Sequence, residues 1–184
     1  MVEIDDHSII RKVREGDVEA FAHIVERHQQ AIFNLTYHMT GSEEDARDLT
    51  QEIFIRAYLN LDKVDPRYKF FSWLYRLGVN HTLDHIRQRK PYVLMEDVEA
   101  YDRQTRDETA DLTADLLEKR VNVRKAIRKL EPKYRLLIVM KYYSAMSYDQ
   151  MSSISGIPES RVKSRLFEAR QMLRNLLKSS SDNI

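Results

Sequence analysis

The chain has no cysteine, which excludes disulfides, thiol nucleophiles and cysteine-based zinc sites. Glycine and proline are scarce, at four each among 184 residues, so a strand-and-turn architecture is disfavoured. No stretch approaches the roughly eighteen uninterrupted apolar residues a membrane helix needs, and Met1 to Lys12 carries Glu3, Asp5 and Asp6 where a leader would be apolar. The expectation is a soluble, unexported, cytoplasmic protein with no membrane insertion.

What is plentiful is Leu, Ala, Glu, Arg and Lys, the residues that lose least on entering a helix. With 42% hydrophobic residues there is enough apolar surface for packed cores, and the expected fold is all-α. The net charge of +1 hides a segregation along the chain. Residues 1–90 carry −2, residues 91–118 carry −7, and residues 119–184 carry +10, from 15 Lys/Arg against 5 Asp/Glu. A carboxyl-terminal third charged in this way matches surfaces that bind phosphates.

Helical spacing of apolar residues divides the chain in two. Gly16-Asp17 reads as a helix end and a new cap, and Phe21, Ile24, Val25, Ile32, Leu35 and Met39 form a stripe that stops at Thr40-Gly41. Ser42-Glu43-Glu44-Asp45 resembles a capping box opening a helix to about Asp62. Asp65-Pro66 breaks the pattern before a helix from about Lys69 to Lys90. The acidic, Asp/Thr/Glu-rich stretch that follows has weak periodicity, as a flexible linker does. The expected domains are therefore 1–91 and 119–184, two small helical bundles joined by an acidic linker over 92–118.

In the second bundle, a short helix over Ser147 to Ser155, a left-handed stop at Gly156 and Pro158 at the start of the next helix have helix-turn-helix spacing. Turning 100° per residue puts Val162, Leu166, Ala169 and Leu173 inside and Ser160, Ser164, Phe167 and Gln171 outside, with Arg161 and Lys163 at the edges. Hydroxyls and cations on one exposed face suit base edges and phosphates of a major groove, and Phe167 suits a thymine methyl. An ordinary amphipathic helix facing water has the same pattern.

In the first bundle, Ala46, Leu49, Ile53, Ala57 and Leu61 form the core side of the third helix. Asp48, Gln51 and Glu52 gather with Ile55 and Leu59 on the other side. Aliphatics bordered by carboxylates suit docking onto a basic partner helix, unless the linker or first helix covers them. The fourth helix is apolar on one side through Phe71, Tyr75, Val79 and Ile86. The other carries Phe70, Trp73 and Leu77 and then turns polar at Asn80, Asp84 and Arg87. Aromatics followed by cations suit unpaired bases, although Trp73 and Leu77 as core, with Asn80 and Asp84 as a buried pair, are the plainer alternative.

Asp48-Leu49-Thr50-Gln51-Glu52-Ile53-Phe54 resembles the D-L-x-Q-E-x-F signature of sigma region 2. The run from Phe70 through Trp73-Leu74-Tyr75-Arg76-Leu77 to Asn80, Asp84 and Arg87 is similar to that of extracytoplasmic-function sigma factors of the sigma-70 family. Leu130 to Arg135, Met146-Ser147-Tyr148, Gly156-Ile157-Pro158 and Val162 to Leu166 resemble region 4. The resemblance covers nearly the whole chain. It implies an RNA polymerase sigma factor that directs core polymerase to promoters and assists their melting, with no catalysis, cofactor or metal of its own.

The resemblance further assigns Asp48, Gln51, Glu52 and Ile55 to the clamp helices of the polymerase β′ subunit. It assigns Lys63, Tyr68, Lys69, Arg76, Asn80 and Arg87 to the melted strand of the −10 element. Ser160, Arg161, Lys163, Ser164, Arg165 and Phe167 are assigned to the −35 duplex, beside a contact with the β flap. An anti-sigma partner is also implied. The recognition helix departs from the common pattern, with Pro158-Glu159-Ser160-Arg161 where many members have P-x-G-T and Phe167 where His is frequent. Two other readings compete: a helix-turn-helix regulator acting without core polymerase, and a metal site using His81, Asp84 and His85, which lacks the Glu expected after the first His.

Overall fold

The computed structural model describes residues 5–88 and 114–181, and all regular structure among them is helical. Asp5 caps α1 (Asp6–Arg14), accepting from the His7 backbone N–H at 2.9 Å. A 3-10 turn, Val18–Ala20, capped by Asp17, leads into α2 (Phe21–Thr40). Gly41 stops α2 in the left-handed region at φ +79°, which a β-carbon would resist. Ser42 then caps α3 (Glu43–Leu59), its hydroxyl oxygen accepting from the Asp45 N–H at 3.2 Å. The Leu61–Lys63 3-10 turn and an irregular loop precede α4 (Phe70–Gln88).

The second half holds α5 (Ala114–Lys129), α6 (Pro132–Ile138), α7 (Tyr148–Ser155) and α8 (Glu159–Ser181). Residues 114–118, at the end of the segment expected to link the domains, thus lie in the first turns of α5, and the rest of that segment through 113 is outside the described residues. Ser147 and Gln150 form a reciprocal capping box on α7, and Gly156 (φ +72°) ends it. Pro158 sits just ahead of α8, its carbonyl accepting from Val162 N–H at 3.0 Å. The helix-turn-helix is therefore formed as its spacing predicts.

Ile24, Ile32, Leu35, Ile53 and Leu74 are fully or almost fully buried and form the centre of the first bundle; Val162, Leu166, Ala169, Met151 and Ile138 do so in the second. Each such side chain contributes about 1.5–3 kcal/mol by leaving water, and Leu74→Ala would cost about 2–5 kcal/mol. The fourth helix requires one correction. Phe70, expected on the strand-facing side with Trp73 and Leu77, is 2% exposed and belongs to the core together with Leu74, Tyr75, Val79 and Thr82. Phe71, Trp73 and Leu77 are half-buried at its margins. α4 is apolar on much of its circumference, so periodicity alone could not choose its inner face.

The two halves pack against each other where α2 ends. Arg128 of α5 donates to the Gly41 carbonyl, and Arg135 of α6 donates to the Met39 carbonyl at 2.5 Å and to the carbonyls of Arg128 and Leu130. Two guanidinium groups thus meet the negative end of the α2 dipole. Beyond α6, residues Val139–Tyr143 wind into a π-helical turn, and the extra residue aims Tyr143 and Ser144 at the first half. Tyr143 lies over His38, and Ser144 Oγ is 2.8 Å from the Tyr75 hydroxyl. Burial, then Arg124 and Arg128, push the His38 pKa down to about 3, so this imidazole is neutral. Burial likewise lowers Arg135 to about 10, with Arg128 adding to it.

Candidate polymerase and nucleic-acid interfaces

The third helix owes its two faces to a 3.6-residue repeat. Ala46, Leu49, Ile53 and Ala57 are buried, while Asp48, Gln51, Glu52 and Ile55 are all exposed one turn apart on the opposite side. Ile55 is 52% exposed and Leu59 69%, so among the described residues neither the first helix nor any other element covers them. Beside them, α2 and α3 diverge around an open groove of about 960 Å³ floored by Phe21, Val25, Phe54 and Tyr58, with Gln51 and Ile55 at its lip. Glu52 is not simply solvated: its carboxylate lies 2.5 Å from His81 Nε2 on α4.

The loop from Leu61 to Lys69 exposes cations and an aromatic. Lys63, Tyr68 and Lys69 all face water, Tyr68 being 67% exposed, and Lys63 Nζ donates to Asn60 Oδ1 at 2.6 Å. Asp65 holds Arg67 through a bidentate pair, and that hydrogen bonding lowers the Asp65 carboxyl to about 2. Trp73, Arg76, Asn80 and Arg87 fall on one stripe of α4, with Lys69 just ahead of it, and Arg76, Asn80 and Arg87 are exposed. Asn80 and Asp84 form no buried pair; both are exposed, and Asp84 holds Arg87 at 3.0 Å.

The metal reading drew on His81, Asp84 and His85. His81 and His85 each face a separate carboxylate of α3, Glu52 at 2.5 Å and Asp45 at 3.9 Å. Among the described residues no group of three or more His, Asp or Glu is placed to hold an ion.

The expected recognition face lies on α8. Ser160, Arg161, Lys163, Ser164 and Phe167 are exposed, Phe167 at 56%, while Arg165 is half-buried. Ser164 Oγ donates back to the Arg161 carbonyl at 3.2 Å and stays exposed. Lys163 is held by Glu159 at 2.5 Å and lies 5.3 Å from the Tyr148 ring, so a phosphate would compete with an exposed ion pair that holds little energy.

Several contacts near these surfaces had no signal in the sequence. Arg14 of α1 donates to the carbonyls of Leu61 and, at 3.2 Å, Val64, and His7 Nε2 lies 2.9 Å from the Tyr68 carbonyl. The turn of the helix-turn-helix also meets α4: a β-carbon placed on Gly156 would lie 3.4 Å from Arg76 Nη2.

Comparison with known proteins agrees with this geometry. Residues 24–92 match sigma-70 region 2 and residues 120–173 match sigma-70 region 4, so the first match takes in α3, the loop and α4 and the second the helix-turn-helix. The chain is 38% identical over 177 residues to the ECF RNA polymerase sigma factor SigW of Bacillus subtilis (strain 168), covering 92% of this chain and 95% of that one. It belongs to the extracytoplasmic-function sigma factors of the sigma-70 family. It is also 30% identical over 181 residues to the ECF RNA polymerase sigma-E factor of Haemophilus influenzae, covering 94% of this chain and 95% of that one. The fold of this sigma factor superposes on CnrH, solved in complex with the cytosolic domain of CnrY, with a TM-score of 0.71, 26% identity and coverage of 95% and 97% of the two chains. As a sigma factor it directs RNA polymerase. None of its described helices is long and apolar enough to cross a membrane.

Proposed function

We propose that the two bundles divide promoter recognition between them. The exposed α3 face of Asp48, Gln51, Glu52 and Ile55 grips the β′ clamp helices. The loop residues Lys63, Tyr68 and Lys69, with Arg76, Asn80 and Arg87 on α4, hold the melted −10 strand. Ser160, Arg161, Lys163, Ser164, Arg165 and Phe167 on α8 enter the −35 major groove, and the second bundle also touches the β flap. Unstacking a base costs a few kcal/mol, and stacking on protein returns roughly 1–3 kcal/mol per base, so melting needs no nucleotide hydrolysis. The protein is a cytoplasmic initiation factor and not an enzyme.

The observation that carries this reading is the α3 face, where two exposed aliphatics stand among carboxylates. A helix-turn-helix regulator working alone has no use for such a face. By likeness to CnrH, which is solved with a cytosolic protein domain, a partner of the anti-sigma kind would cover these surfaces when the factor is idle. Electrophoretic shift of a promoter fragment separates the readings. The chain with core polymerase is expected to bind where neither component alone does at the same concentration. Equal binding by the isolated chain would favour the solitary regulator.

A further inference from the structure

The stretch from Leu61 to Lys69 makes few bonds to itself beyond its 3-10 turn and the local Asp65–Arg67 pair. Leu61 and Val64 anchor it in the core, the Tyr68 N–H donates to the Asp65 carbonyl within it, and α1 adds hydrogen bonds to its backbone from outside. Arg14 donates from one guanidinium nitrogen, Nη2, to the carbonyls of both Leu61 and Val64, and His7, two turns earlier on α1, meets the carbonyl of Tyr68. Both ends of the stretch are therefore pinned by α1. That helix is itself anchored: Ile9, Ile10 and Val13 are buried, and the Asp6 carboxylate takes Arg27 at 2.5 Å and His28 at 2.9 Å from α2. The His28 ring then packs on Phe70 and Phe71, where α4 begins. α1 precedes the residues that match region 2, which start at 24.

We infer that α1 is a working part of the −10 reader: Arg14 and His7 are positioning residues that hold the 61–69 backbone in the shape that presents Lys63 and Tyr68 to a separated strand. The inference rests on the reading of that loop given under the proposed function. Its physical content is preorganisation. A loop fixed before binding does not pay the ordering cost when a base arrives, and only a fixed loop discriminates between bases by shape. Neither residue touches DNA in this account; both act through backbone carbonyls.

The test uses the full chain assembled with core polymerase and two probes: a single-stranded oligonucleotide selected by the wild-type holoenzyme and a scrambled one of equal length. The readout is their affinity ratio. Arg14→Met, which keeps the apolar stem and removes the donor, is expected to lower that ratio about tenfold, and Arg14→Lys, which keeps a cationic donor on a shorter side chain, less. His7→Leu is expected to lower it, whereas His7→Gln, whose amide N–H can still donate to the Tyr68 carbonyl, restores it. Core affinity stays within about twofold throughout.

Equal weakening toward both probes would mean that α1 merely holds the fold, and would overturn the inference. So would an unchanged ratio in Arg14→Met and His7→Leu while Tyr68→Ala and Lys63→Ala lose it. If all four variants keep the ratio, the loop does not read the strand and the parent assignment falls as well. Should Arg14→Met fail to fold, the His7→Leu and His7→Gln pair decides alone.

Discussion

Removing one guanidinium at the junction of the two bundles should shift them apart. Arg128 donates to the Gly41 carbonyl at the end of α2, and Gly41 lies so close that a β-carbon there would stand 2.3 Å from Arg128 Nε. A hydrogen bond to a charged donor contributes about 1.5–3 kcal/mol net, and the α2 dipole acts in the same direction. Arg128→Met keeps the stem and deletes the donor. It should therefore move the packed-to-separated equilibrium by roughly 10- to 150-fold. Arg135 is the poorer target, because it also ties α6 to the carbonyls of Arg128 and Leu130 within its own bundle.

The absence of cysteine makes the assay clean: Glu26→Cys on α2 and Asn175→Cys on α8 introduce the sole thiols for a donor–acceptor dye pair, both at exposed positions. Energy transfer should be high in the parent and fall in Arg128→Met, while the circular dichroism of the helices is retained. With the bundles apart, Arg76 loses its neighbour at Gly156. Unchanged transfer in Arg128→Met would refute the claim that this junction holds the bundles together.

Further predictions concern pH, DNA and polymerase. His38 is held neutral in the folded chain, with its pKa near 3 against an ordinary 6.5, so acid favours the unfolded form, which binds the extra proton. Stability should fall by about 2 kcal/mol from this group between pH 7 and pH 5, and His38→Gln should remove that portion of the slope in chemical denaturation. A pH dependence identical in parent and variant would contradict the neutral imidazole. Arg161→Glu with Lys163→Glu should weaken duplex binding by the holoenzyme and reduce the log–log salt slope by about two, if each cation covers one phosphate. Unchanged promoter occupancy would count against α8 in the groove. Asp48→Ala with Gln51→Ala should lower core affinity about tenfold or more while the melting temperature of the isolated chain holds, because both side chains are exposed; a variant that unfolds would return these residues to a structural role.

Much of this architecture is written locally. Gly41 and Gly156 end helices because a left-handed residue is needed there, and Ser42 and Ser147 cap the next ones. Val162, Leu166 and Ala169 face inward because the repeat that places them has a polar opposite side. The resemblance to sigma regions 2 and 4 rests on such runs, and so did the candidate face of α3. Phe70 is misplaced by the pattern because both sides of α4 are apolar, and only the positions of α2 and α3 decide which is inside. The grip of Arg128 and Arg135 on α2, the Arg14 and His7 contacts and the π-helical turn after Ile138 join residues far apart in the chain or depend on one extra residue in a helix. No periodicity announces them.

The most direct test is run-off transcription with purified core polymerase on a library of promoter fragments. The full chain should enable core to start RNA at a defined subset of sites without ATP hydrolysis for melting, and the Asp48→Ala, Gln51→Ala double variant should start far less. If core polymerase supplied with the intact chain starts no RNA at any site in the library, the division of labour between the two bundles is contradicted.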